Sequence, residues 1–268
     1  SVMSTKYLGQ PFDIHGGGVE NKFPHHECEI AQAECASDEA FARYWLHNGM
    51  LMIRGEEMHK SLGNFVTLDQ AFRHWDPMVI RFFILLSHYR GPIDFTQEAV
   101  EAAGKGLQRL HGAVAAVRRH LAATPGEGDG AQEVPEPVAT LLERAREQFE
   151  ESMNDDFGTP GAIAALFDLT REVNTLLAGG EPLARGALEA IDTAYRRMAG
   201  EALGILPDDL EKEADEGLSA GLIETLIDIR RELRAAKQWA LADQIRDRLG
   251  ALGVQLQDGP EGTTWTLA

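Results

Sequence analysis

Apolar positions recur at helical spacing through most of this chain. Val100, Leu107, Leu110, Val114 and Val117 form one stripe on a helix predicted over 97–122. Ahead of it, Met78-Val79-Ile80-Arg81-Phe82-Phe83-Ile84-Leu85-Leu86 is apolar nearly all round, which marks a buried helix started by Pro77, and another helix begins at Leu68. A stretch rich in Pro, Gly and acids, 123–137, reads as a linker. Helices over 138–153, 159–177 and 182–203 follow, with Asn154-Asp155-Asp156 and Thr159-Pro160 supplying a capped start to the middle one. Together they predict an antiparallel helical bundle. A second, acidic linker covers 207–219. Beyond it Leu222, Leu226, Ile229 and Leu233 keep helical register up to a break near Trp239, and a helix over 240–252 is closed by Gly253. Val254–Gln257 and Thr263–Leu267 alternate as two strands of a hairpin around Asp258-Gly259-Pro260-Glu261-Gly262, with Trp265 in its core.

The first sixty residues follow another pattern. Phe12-Asp13-Ile14-His15 alternates as the end of a buried strand and runs into Gly16-Gly17-Gly18. That triple glycine reads as a loop, open to positive φ and to close approach of a ligand. Pro24 opens a helix over 24–37 with Glu27 and Glu29 in its first turn, and Ser37-Asp38 closes it. Asp38-Glu39 starts a further turn through Tyr44-Trp45, His47-Asn48-Gly49 is a break, and Met50–Arg54 reads as a short buried strand. Two strands do not make a stable doubly wound sheet, so this region predicts a sheet with exposed edges, covered by a partner chain or locally rearranged.

Composition narrows the class. At 268 residues and 44% hydrophobic the chain can bury a core of two or three subdomains. No apolar run approaches the ~20 residues of a membrane span and no basic-then-apolar leader is present, so the reading is a cytosolic protein without a membrane partner. Cys28 and Cys35 lie about 10 Å apart on one helix, too far to bridge, and read as reduced thiols. A net charge of −18 argues against indiscriminate nucleic-acid binding, DNA included, yet leaves room for a local basic face. The tail has one: Arg230, Arg231, Arg234, Lys237, Arg246 and Arg248 cluster around Trp239, which suits phosphate contacts plus a stacking ring, or equally a solvated helix with a core tryptophan.

Candidate chemistry gathers near the glycines. His25, Cys28 and Glu29 stand at i, i+3 and i+4, so imidazole, thiol and carboxylate share one helix face, as part of a metal shell, a polar ligand site or a surface pair. Lys60, in a loop with Gly63 and Asn64, can set an ammonium against phosphate, or serve as a surface lysine.

His15-Gly16-Gly17-Gly18 with Phe23-Pro24-His25-His26-Glu27 and Glu29-Ile30-Ala31-Gln32 resembles the central segment of cysteinyl-tRNA synthetase. Lys60-Ser61-Leu62-Gly63-Asn64-Phe65 resembles that family's KMSKS loop, and Met153-Asn154-Asp155-Asp156-Phe157-Gly158-Thr159-Pro160 its helical-domain signature. Ala242-Asp243-Gln244-Ile245-Arg246-Asp247 and Asp258–Trp265 resemble its C-terminus. The resemblance runs the length of the chain and extends to the cysteine ligase of mycothiol synthesis, which has no counterpart to this tail. It implies a mainly α (α+β) protein with three parts: a remnant of a Rossmann-type catalytic domain over 1–75, connecting helices and a bundle over 76–210, and an anticodon-binding-like domain over 218–268. By resemblance, Lys60, Ser61 and His15 serve catalysis, and His15, Gly16, Gly17, Gly18 and Glu20 bind substrate, Glu20 standing where the family has aspartate. His25 and Glu29 match zinc ligands, with Cys28 a substitute thiolate. Arg234, Trp239, Asp243 and Asp258 match positions that read the anticodon of a cysteine-specific tRNA. The family uses zinc and ATP with Mg. Its HIGH motif and two zinc cysteines have no match in this sequence, and Glu57 and His59 replace a lysine and a serine of the KMSKS loop. The expectation is therefore a C-terminal part or stand-alone paralogue with weak or absent zinc and ATP binding, in which the second reading is an interaction module.

Overall fold

The computed structural model describes residues 1–58, 63–124, 134–259 and 262–267. It forms two compact units, Ser1–Pro207 and Asp208–Ala268. Helix dominates both, and among the described residues no helix is long and apolar enough to cross a membrane.

The first unit opens with α1 (Val2–Leu8), β1 (Phe12–Gly18), a 3₁₀ turn (Val19–Lys22), α2 (His25–Ser37) and β2 (Ala42–Asn48). β1 and β2 pair in parallel, Phe12 opposite Ala42 through Gly18 opposite Asn48, and α2 is the crossover that parallel pairing demands. Phe12, Ala33, Phe41 and Ala42 are buried between helix and sheet, with Trp45 against them. Asp38 closes α2 in the left-handed conformation.

Two sequence expectations change here. Gly16–Gly18 is the end of a strand, not a loop, and none of the three has positive φ. Residues 42–48 are a strand, not a helical turn, because Arg43-Tyr44-Trp45-Leu46 can hydrogen-bond along β1 while Phe41 and Ala42 pack beneath it. Short strands β3 (Leu51–Ile53), β4 (Glu56–Glu57) and β5 (Ile93–Asp94) make a second small sheet, in which Leu51 is exposed rather than buried.

Helices α3 (Leu68–His74) and α4 (Pro77–Leu85) start at side-chain caps, a Thr67–Gln70 capping box and Asp76 respectively. α4 buries Ile80, Phe82 and Phe83, although Ile84 is half-exposed. The apolar stripe of α5 (Gln97–Ala123) is buried as its spacing predicts. It packs with α6 (Glu136–Asn154), α7 (Thr159–Ala178) and α8 (Arg185–Tyr195) around Leu110, Leu166, Leu169, Leu188 and Ile191. The helix expected over 182–203 is α8 followed by a π-helical turn, Arg196–Ala202. Inside the bundle Thr170 and Tyr195 share a hydroxyl–hydroxyl bond of 3.0 Å, and Asp192 accepts from Arg118 Nε at 2.8 Å and Arg196 Nε at 3.1 Å.

In the second unit, α9 (Leu210–Ala235) begins well before the expected end of the acidic linker, so 210–219 is helical. It is followed by α10 (Trp239–Ala251), β6 (Val254–Gly259) and β7 (Gly262–Leu267), the hairpin pairing antiparallel. Ile223, Ile227, Leu249 and Val254 form its core; Trp265 packs against them and donates its indole N–H to Glu224 at 2.7 Å.

Candidate functional site

The parallel β1–α2–β2 unit brings three metal-type donors together at the sheet's C-terminal end. His15 leaves β1, His26 and Glu29 leave the first turns of α2, and their ligand atoms lie within 4.8 Å of one another. His15 Nε2 sits 2.6 Å from a Glu29 oxygen, and His26 Nδ1 sits 2.8 Å from His47 Nε2 on β2. Trp45 borders the group, its ring centroid 4.7 Å from His15 and 5.1 Å from His26.

Electrostatics favours the forms that bind metal. Burial, reinforced by the neighbouring imidazoles of His15 and His47, holds His26 below its ordinary pKa, so it stays neutral. Burial also lowers His47, with help from the Lys22 and Arg90 charges. For Glu29 burial opposes ionisation, but the His15 hydrogen bond and the nearby positive groups outweigh it and keep the carboxylate charged.

The glycines make room for this cluster. A Cβ on Gly17 would meet the His26 ring at 2.8 Å, and one on Gly18 would collide with the Glu20 carboxylate. Close approach is thus required at Gly17, by the His26 ring of the cluster itself.

The sequence-derived set and the structural set overlap only in part. Glu29 and His15 belong to the cluster. His25 is 65% exposed on its side chain, its Nε2 3.9 Å from Glu29, and Cys28 is exposed on α2. His26 and His47 were missed. His26 was legible: it precedes buried Ala33 by seven residues, two helical turns on one face. His47 was hidden by reading β2 as a helical turn and a break. Glu20 lies in the 3₁₀ turn with no metal-donor partner in the cluster. Lys60 and Ser61 fall outside the described residues. Among the described residues, Ile53, Arg54, Glu56, Asn64 and Phe65 wall an open cavity of ≈450 Å³, and Asn64 Nδ2 donates to the Glu57 carbonyl at 2.9 Å.

The tail carries the other candidate surface. Trp239 opens α10 with 55% of its area exposed, and the Arg234 guanidinium lies 5.9 Å from its ring centroid. Asp243 is one turn further along the same face of α10, and exposed. Asp258 stands in β6 opposite Thr263.

Comparison with known proteins gives these surfaces a context. Residues 1–105 match the family "tRNA synthetases class I (C) catalytic domain", 148–207 the DALR domain, and 215–265 the "Cysteinyl-tRNA ligase anticodon binding domain". The LeuRS of an Agrobacterium radiobacter K84 complex with tRNA and LeuAMS shares the fold at a TM-score of 0.60 and 19% identity, over 74% of this chain and 26% of that one. The chain thus carries segments of a class I aminoacyl-tRNA synthetase. It is 46% identical to the cysteine–tRNA ligase of Heliobacterium modesticaldum over 100% of its own length and 56% of the relative's. With that of Chlorobium luteolum it shares 44%, over 99% and 53%, and with that of Thermococcus onnurineus 43%, over 99% and 55%. Within the class the chain is a homologue of the cysteine–tRNA ligases, and it spans about half the length of the curated relatives it matches.

Proposed function

We propose that this chain is a tRNA-binding part of a cysteine–tRNA ligase, docking tRNA through the α10 face and contributing the thiol-recognising side of the amino-acid site. The observation that carries the reading is Trp239. A half-exposed indole under a guanidinium, in an acidic protein, suits an unstacked base with its phosphate. Arg234, Asp243 and Asp258 would border that base. Filter binding with a tRNA bearing the cysteine anticodon tests it: the wild-type chain binds, and Trp239→Ala weakens binding about 5- to 100-fold, as loss of one base stack does. Unchanged binding removes the docking face.

The donor cluster fits zinc. His15, His26 and Glu29 make a three-ligand shell with a position open, the arrangement of sites that take a substrate ligand. A zinc there would bind the substrate's thiolate. His47 steadies the second ring nitrogen of His26, and Trp45 packs beside its ring. In this reading Gly16–Gly18 and Glu20 border the amino acid, His25 and Cys28 flank the shell, and Lys60 with Ser61 faces the phosphates of ATP–Mg. Glu57 sets a carboxylate beside those phosphates, which repels them. The chain on its own is therefore expected not to catalyse cysteine-dependent pyrophosphate exchange.

A partner chain is the second reading, favoured by Ile14 and Tyr44. They are neighbours in register yet 55% and 66% exposed on a parallel pair, a type of sheet whose faces are ordinarily covered. Sedimentation with the non-matching half of the Heliobacterium relative tests this; complex formation is expected, and its loss in Tyr44→Asp.

A further inference from the structure

The donor cluster sits on elements that support one another and little else. Among the described residues α2, β1 and β2 pack on each other and on the 3₁₀ turn, and no bundle helix packs extensively against them. His47, whose Nε2 lies 2.8 Å from His26 Nδ1, is the last residue but one of β2. Strand ends fray unless the chain beyond them is held, so whatever anchors the residues after Asn48 also sets the His47 ring.

That anchor is the loop over 88–91. Gly49 N–H donates to the Tyr89 carbonyl at 2.7 Å, and a Cβ on Gly49 would collide with the Gly91 carbonyl, so the two backbones touch. Ile93 N–H then donates to the Met50 carbonyl at 2.9 Å, where β3 and β5 begin to pair. Arg90 is near enough for its charge, after burial and Lys22, to lower the pKa of His47.

The loop is held in turn from the bundle. Asp156, in the turn between α6 and α7, accepts from the Tyr89 hydroxyl at 2.7 Å and from Arg90 through Nε and, at 3.1 Å, Nη2. His88 Nε2 lies 3.8 Å from the same carboxylate. The Arg90 and Tyr89 bonds keep the Asp156 pKa below the usual carboxylate value, so the grip is charged and directional. Asp156 takes the left-handed backbone, φ 53°, which Asp tolerates. The Asn154-Asp155-Asp156 run therefore does not cap α7, whose N-cap is Gly158; it turns Asp156 toward the loop.

We propose that Asp156 is a positioning residue for the donor cluster, holding His47 and through it His26 by way of the Tyr89–Arg90 loop and Gly49. This rests on the reading of that cluster as a thiol-recognising zinc site. A half-exposed ion pair adds little to global stability, so the consequence of these bonds is where they place the loop.

The test compares Asp156→Gly, which suits the left-handed backbone but removes the carboxylate, with Asp192→Ala, which breaks a carboxylate–arginine pair inside the bundle. In EDTA at fixed pH, the ring-nitrogen NMR resonances of His26 and His47 shift in Asp156→Gly and hold in Asp192→Ala. Zinc affinity, from competition with a chelator, falls about 10-fold in the first variant only, the low end of the loss when a partner of a metal ligand is removed. Tyr89→Phe keeps the ring and the Arg90 bonds, and gives a smaller shift in the same direction. Resonances that stay put in Asp156→Gly and Tyr89→Phe, or that move as far in Asp192→Ala, overturn the proposal. If they move but the wild-type chain binds no zinc, the metal reading fails and the positioning stands. If the chain binds zinc and they do not move, only this inference fails.

Discussion

The bundle and the β1–β2 sheet meet the same requirement, an apolar face that must be covered, with opposite results. In the bundle Leu110, Leu166, Leu169, Leu188, Ile191 and Tyr195 are all fully buried. In the sheet Phe12, Phe41 and Ala42 are buried, while Ile14 and Tyr44 stand in solvent. The difference lies in the backbone. Helices satisfy their own N–H and C=O groups and need only pack stripes together, whereas a parallel strand pair leaves edges and faces for other elements to complete. Stability therefore belongs to the helices, and the donor chemistry sits on the part least able to stabilise itself.

The largest test of that contrast is Leu166→Ala, expected to cost about 3 kcal/mol in urea unfolding because it empties a filled core site. A smaller value would mean that the bundle is looser than its burial implies. Asp192→Ala leaves Arg118 and Arg196 without the buried carboxylate they share and is expected to cost about 2 kcal/mol, read by thermal melting.

Acid and alkali should separate the two regions next, monitored in EDTA by near-UV and far-UV circular dichroism. Burial depresses His26 and His47, so below about pH 6.5 the unfolded chain takes up protons that the folded cluster refuses. The Trp45 environment is thus lost first on acidification. In the bundle burial pushes Tyr195 up to about 12, its bond to Thr170 opposing only in part. That stabilisation is present below about pH 10 and fades as pH rises toward the raised value, so helicity is lost on the alkaline side. Reversal of the two sides would break the comparison. The smallest effect is Tyr44→Thr, expected within about 0.5 kcal/mol because a half-solvated ring loses little. A larger loss would show that the face is covered in solution.

Much of the bundle was legible because its signal is local. Spacing alone marked the α5 stripe, and Pro77 and Thr159-Pro160 punctuated their helices as propensity dictates. The sheet was read less well. Arg43-Tyr44-Trp45-Leu46-His47 has no clean alternation, since its pairing with β1 is non-local and its exposed face carries Tyr44, so a strand passed for a turn. The same error hid His47. Gly16–Gly18 was recognised as a place of close approach but assigned to a loop, because sequence cannot say that His26 and Glu20 fill the space where Cβ atoms would be.

The sequence by itself determined the helical class, the order of the parts and the motifs that tie the chain to the cysteine–tRNA ligases, because these depend on composition and on neighbours within a turn or two. Only the tertiary structure decided that His15 and Glu29 join His26 rather than Cys28. Only it showed that Asp156 reaches back to Tyr89 and Arg90 rather than capping the helix after it. Both outcomes turn on where a crossover or a turn returns the chain in space, and side-chain periodicity carries no record of that.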